Sequence, residues 1–146
     1  MNAHLLEKLS HIRLMIFDVD GVLTDGKMHY GENGELFKSF NVLDGHGIKL
    51  LKRADVATAI ISARNSPIVN RRAADLEINH VIQGAGQKQK AFAQLLEKTG
   101  LTADLCAFVG DDIIDLPVLT RVGVSFGVPN GHAEVLSRVD YVTHHE

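Results

Sequence analysis

The stretch FDVDGVLTDG, residues 17–26, sets Asp18, Asp20 and Asp25 within one short loop after an apolar run, together with Gly21 and Gly26. Carboxylates this close repel one another unless something positive sits between them. A cation, or a phosphoryl group carried with one, is the chemistry such a loop suits.

Other residues able to handle phosphate follow later apolar runs. Ser62 closes VATAIIS (56–62), Lys88 follows HVIQGAGQ (80–87), and Asp111, Asp112 and Asp115 follow LCAFVG (105–110). Taken singly, each has a commoner explanation: a serine after a strand is a turn or cap, a lysine a solvated helix start, and Gly-Asp-Asp a turn with a cap. Together they supply a nucleophile, a hydroxyl donor, a cation and metal ligands on one edge of one sheet. Asp18, first out of its strand, can attack phosphorus as a carboxylate and carry the phosphoryl group covalently. Asp20 can protonate a leaving alcohol and then deprotonate water. The Asp18 side chain, the Asp20 carbonyl and Asp111 offer the hard oxygen donors that Mg2+ prefers. Ser62 and Lys88 can hold the remaining phosphoryl oxygens and offset their charge. Asp115, four residues past Asp111, shares its face if the segment is helical. It either orients Lys88 or a metal-bound water, or is a solvated helix acid. Arg64 is balanced between a surface charge at a helix start and a substrate contact, since its guanidinium can pair with phosphate or carboxylate.

These groups need a scaffold that gathers strand ends. RLMIFD (13–18), VATAIIS, HVIQ (80–83), LCAFVG, VGVSFGV (122–128) and DYVT (140–143) read as short buried strands. SPIVNRRAADL (66–76) and QKQKAFAQLLEKTG (87–100) carry apolar residues at helical spacing, the second ending on Gly100 as a C-cap. Alternating strand and helix predicts an α/β doubly wound, mostly parallel sheet with helices on both faces and ligands at the carboxyl strand ends. GKMHYGENGELFKSF (26–40) breaks the rhythm, with strand-like halves around an Asn-Gly turn, and predicts a projecting β-hairpin.

Composition narrows the rest. A chain of 146 residues, 45% hydrophobic and 23% charged, suits one globular domain spanning 1–146, with no linker to begin a second. A net charge of −3 without a basic run argues against nucleic acid as a partner. No apolar run approaches membrane-spanning length, the N-terminus lacks a leader's apolar core, and a lone Cys106 permits no intrachain disulfide, so the expected place is the cytoplasm. The eight histidines lack metal-ligand spacing, which argues against zinc.

The set D-x-D-G-V-L-T-D (18–25), Ser62, Lys88 and G-D-D-x-x-D (110–115) resembles the four motifs of the haloacid dehalogenase superfamily phosphatases over nearly the whole chain. More narrowly, FKSFNVLDGHGIKLL, SPIVNRRAADL and QGAGQKQKAF resemble the subfamily acting on 3-deoxy-D-manno-octulosonate 8-phosphate in lipopolysaccharide assembly. The resemblance implies a Rossmann-like core, Mg2+ dependence and the roles assigned above to Asp18, Asp20, Ser62, Lys88 and Asp111. Ala63 stands where that family usually has glycine, which bears on backbone freedom beside the phosphate. The sequence closes on DYVTHHE where the family continues into a Gly- and Arg-containing tail. The intervals between the motif residues are too short for a cap domain. An isolated two-stranded ribbon cannot bury Met28, Tyr30, Leu36 and Phe37, and phosphoryl transfer benefits from excluding water. A homotetramer joined through the hairpins, as the resemblance also implies, answers both needs.

Competing readings are a nine-carbon keto-deoxy sugar acid 9-phosphate as substrate, a phosphorylated signalling domain, and a non-catalytic oligomerisation module. The signalling domain should carry its acceptor Asp at the end of a middle strand, where this chain has Ser62. The silent module should lack part of the catalytic set, and nothing obvious is missing.

Overall fold

The computed structural model describes residues 3–145; Met1, Asn2 and Glu146, the outermost positions of the expected 1–146 domain, lie outside them. In chain order the first elements are α1 (Ala3–Ser10), β1 (Leu14–Phe17), β2 (His29–Gly31), β3 (Gly34–Phe37), α2 (Val42–Arg53), β4 (Ala57–Ile61) and α3 (Pro67–Asp75). Then come β5 (His80–Ile82), α4 (Lys88–Thr99), β6 (Cys106–Gly110), α5 (Leu116–Leu119), β7 (Val124–Gly127), α6 (Ala133–Leu136) and β8 (Tyr141–Val142).

Six strands form one sheet in the order β5-β4-β1-β6-β7-β8, and every neighbouring pair is parallel. The chain starts in the middle, winds outward through β4 and β5, then crosses back to β6 on the other side of β1. The direction of winding therefore reverses between β1 and β6, the place where doubly wound sheets bind ligands in a crevice outside the carboxyl ends of the strands. Asp18 and Asp111 are the residues that leave those two strands.

Alternation along each strand divides the core into two layers. Leu14, Ile16, Ala59, Ile61, Cys106 and Phe108 face the layer that holds Phe92 and Leu95 of α4 and Val118 of α5. Phe17, Ile60 and Val109 face the other, against Ile48 of α2 and Val69 and Ala73 of α3. Because both faces are covered, the strands read as unbroken apolar runs. The N-terminal segment, expected only to lack a leader, folds as the short helix α1, whose Leu5 and Leu9 pack on Ala107 and Val124.

Helix ends follow local chemistry. Pro67 opens α3 after Ser66, and Gly100 closes α4 in the left-handed region at φ 70°, its N–H donating to Leu96 O at 2.9 Å. Ala63 is not among the described non-glycine residues with positive φ, which are Asp55 and Glu77, so this position does not need glycine's backbone freedom. The antiparallel pair β2-β3 stands apart from the main sheet as a hairpin, with His29 stacked on Phe37 at 4.1 Å between ring centroids. No separate unit of the described residues caps the carboxyl edge.

Phe108, fully buried on the central strand β6, is the test of this core. Phe108→Ala should cost about 3–5 kcal/mol in urea unfolding. A loss below about 1 kcal/mol would mean that the two-layer packing is wrong.

Candidate active site

The site grows from the end of β1. The Asp18 N–H donates to Val109 O at 3.0 Å, extending the ladder one residue past the strand and fixing where its side chain emerges. The chain then coils tightly: the N–H groups of Val22, Leu23 and Thr24 all point at Val19 O. The buried Thr24 hydroxyl accepts from Gly21 N and Gly26 N, each at 3.2 Å, and staples the loop shut. Gly21 has a φ of 94°, and a Cβ there would fall 2.0 Å from Asp111 Oδ2. Its missing side chain is what lets the Asp111 carboxylate close on the β1 loop.

Across the crevice lies Lys88, the first residue of α4, with a side chain 1% exposed. Its Nζ sits 2.8 Å from Asp18 Oδ1 and 2.6 Å from Asp115 Oδ1. Asp115 is not a solvated helix acid: it is completely buried, and its other oxygen accepts from the N–H groups of Asp111 at 3.0 Å and Asp112 at 3.1 Å. A Cβ at Gly110 would strike Asp115 at 2.7 Å, so a glycine must end β6. One carboxylate thus holds both the lysine and the loop that presents Asp111. The signal was in the sequence, since Asp112 and Asp115 have the spacing of a capping box, and that box is formed here.

Oxygens of Asp18, Asp111 and Asp115 lie within 4.8 Å of one another. Burial pushes Asp18 up to about 6; the neighbouring Asp115 adds to the rise while Lys88 opposes it. Burial and then the charges of Asp18, Asp115 and Asp112 push Asp111 up to about 7. Burial works against the Lys88 charge, but Asp18 and Asp115 overcome it and hold the ammonium above its ordinary pKa. One ammonium among these carboxylates leaves negative charge uncompensated, and their hard oxygens suit a divalent cation such as Mg2+.

Ser62 is buried at the end of β4, with its N–H on Ile82 O and its carbonyl receiving Ala85 N, both at 2.9 Å. Gly84 N donates to Arg64 O at 3.1 Å, so the loops after β4 and β5 are clasped together on the edge that carries Lys88. Asp20 turns away from the buried triad. Its Oδ1 is bound by Lys38 of the hairpin, and its Oδ2 stands 4.0 Å from Arg64 Nε. Arg64 also donates to Tyr30 Oη at 2.6 Å. The hairpin residues Lys38, Glu35 and Tyr30 had no signal of their own in the sequence, because the partners that tie them to the site, Asp20, Ser66 and Arg64, lie 18 to 34 positions away.

Comparison with known proteins places this arrangement. Residues 38–146 match the family model described as haloacid dehalogenase-like hydrolase. The chain belongs to that family. It is 45% identical over 144 residues to the 3-deoxy-D-manno-octulosonate 8-phosphate phosphatase of Salmonella typhi, covering 99% of this chain and 77% of the relative. The cobalt-bound deoxy-D-mannose-octulosonate 8-phosphate phosphatase of Haemophilus influenzae superposes with a TM-score of 0.91 at 46% identity, covering 94% of this chain and 81% of the other. The Moraxella catarrhalis enzyme in complex with magnesium, phosphate and KDO superposes with a TM-score of 0.95 at 39% identity, covering 99% and 83% of the two chains.

For a haloacid dehalogenase-like hydrolase the raised acids have a measurable consequence. An acid whose pKa is higher folded than unfolded binds protons more tightly in the folded state, so its ionisation costs stability as pH rises from 3.8 toward 6 or 7. A cation binding there must displace those protons. Mg2+ affinity by calorimetry should therefore tighten at least about 10-fold from about pH 5.5 to about pH 7.5. Affinity unchanged across that range would remove Asp18 and Asp111 as ligands.

Proposed function

We propose that this chain is a Mg2+-dependent phosphatase that hydrolyses 3-deoxy-D-manno-octulosonate 8-phosphate to the free sugar acid and phosphate. The observation that carries the reading is the buried Asp18–Lys88–Asp115 chain with Asp111 across the winding reversal. It occurs in a chain 45% identical to a phosphatase named for that substrate. The solved relative that holds magnesium, phosphate and KDO supports the choice of cation and ligand.

In this reading Asp18, Asp111 and the Asp20 carbonyl hold Mg2+, which when bound neutralises phosphoryl charge. An Asp18 carboxylate oxygen attacks phosphorus, the bond from phosphorus to the sugar oxygen breaks, and Asp20 delivers a proton to the departing alkoxide. Asp20 then takes a proton from water as the water oxygen attacks phosphorus and the bond to Asp18 breaks. Lys88 and Ser62 hold phosphoryl oxygens throughout, at a helix N-terminus that itself favours an anion. Arg64, 46% exposed at its side chain beside Asp20, receives the substrate's phosphate or carboxylate.

The unit of function is a single domain, 1–146, working in the cytoplasm as a homotetramer. The hairpin and the start of α2 support assembly, since they expose Tyr30, Leu36, Phe37, Val42 and Leu43 by 49–78%. Isolated ribbons do not carry such a surface stably, and a neighbouring copy would cover it while enclosing the site.

Asp18→Asn should remove turnover while leaving the fold intact, because the amide keeps the shape and loses the nucleophile. Phosphate release near the wild-type rate would end the covalent mechanism. For the substrate, kcat/KM on the eight-carbon phosphate should exceed that on a nine-carbon keto-deoxy acid 9-phosphate and on simple sugar phosphates. Equal values would leave only a general phosphatase. Light scattering at micromolar concentration should give a tetramer, and a fully active monomer would refute the assembly.

A further inference from the structure

Lys38 is a charged group beside the site that the reaction above does not use. Its side chain is 2% exposed, yet it lies just beyond the end of β3, whose residues are absent from the buried core clusters. Desolvating an ammonium this far is costly unless its partners offset the cost. It has two: Asp20 Oδ1, and Glu35 Oε1 at 2.8 Å. Glu35 is anchored in turn, its other oxygen accepting from the Ser66 hydroxyl at 2.5 Å, while Ser66 N donates to Gln83 Oε1 at 2.9 Å. Against the cost of desolvation, Lys38 and Ser66 hold the Glu35 carboxyl below its ordinary range. With Arg64 beside Asp20, two cations face two carboxylates, and the group is balanced without an outside ion.

The anchor therefore runs from the fixed loop after β4, through Ser66 and Glu35, to Lys38 and one oxygen of Asp20. Asp20 lies on a loop whose tight turn fixes its backbone, whereas its side chain has rotamers to choose among. We infer that Lys38 is a positioning residue for Asp20: it clamps Oδ1 so that Oδ2 remains the oxygen that gives and takes the proton. This rests on the phosphatase reading above and assigns the hairpin a part in the chemistry besides assembly. In the step concerned, Oδ2 first takes a proton from solvent as the anionic phosphate binds; that proton passes to the sugar oxygen as its bond to phosphorus breaks, and Oδ2 takes another from the attacking water. Lys38 touches neither substrate nor phosphorus.

A residue that only braces the hairpin would affect all substrates alike; one that aims the acid matters only where the leaving group needs a proton. The experiment compares Lys38→Met and Lys38→Arg with wild type at saturating Mg2+, on 3-deoxy-D-manno-octulosonate 8-phosphate and on 4-nitrophenyl phosphate, whose phenolate departs without protonation. Lys38→Met should lower kcat on the sugar phosphate by about 100-fold, with KM little changed, and on the aryl phosphate by less than about 3-fold. Lys38→Arg should recover part of the loss. Glu35→Gln, which weakens the anchor and leaves the ammonium, should show the same selectivity to a smaller degree, and stands in if Lys38→Met fails to fold. Equal losses on both substrates, or no loss on the sugar phosphate, would overturn the positioning role while leaving the phosphatase reading in place. Wild type without Mg2+-dependent turnover on either substrate would overturn both.

Discussion

The ion pair that Lys88 makes with Asp18 and Asp115 is the constraint on which the site depends. An ammonium taken almost entirely out of water beside a completely buried carboxylate is tolerable only if each satisfies the other. That need dictates much of the surrounding sequence. β6 must end in glycine because Asp115 packs against it, and the loop after β6 must donate its N–H groups to the same carboxylate. Helix α4 must begin at Lys88 and not a residue later. In return the pair holds Asp18 in the crevice and presents Asp111 opposite it.

The buried cluster is deliberately short of positive charge. Three carboxylates share one ammonium, and burial leaves Asp18 and Asp111 holding protons well above their ordinary range. Such a deficit is a poor arrangement for stability and a good one for binding a divalent cation with a phosphate, since the ligand supplies what the protein withholds. The outer cluster is built the other way. Asp20 and Glu35 meet Lys38 and Arg64 in equal numbers, so it needs no ion to be complete. One group awaits its charge from solution, and the other holds a carboxylate still beside it.

The two clusters are brought together by different means. The inner one is assembled by the parallel sheet, because β1 and β6 are neighbours whose loops must diverge at the reversal of winding. The outer one is assembled by the hairpin, which folds back so that Tyr30, Glu35 and Lys38 reach Arg64, Ser66 and Asp20. The hairpin's Leu36 and Phe37 stay exposed.

Much of this was legible in the order of the residues. Strands buried on both faces appear as continuous apolar runs, Asn33-Gly34 marks the hairpin, and Gly100 marks a helix end, because each is a local preference of backbone or side chain. Acids crowded after the first strand, with Ser62, Lys88 and Asp111 after later ones, announced an anion and cation site for the same reason: strand ends on one edge of a parallel sheet converge. What the sequence could not decide was pairing. Whether Asp115 met water or Lys88, that Arg64 would stand beside Asp20 and Tyr30, and that the Lys38 side chain would leave water, depended on groups many residues apart. Those choices follow from the free energy of desolvating a charge, and that is set by the surroundings that the tertiary fold builds around it.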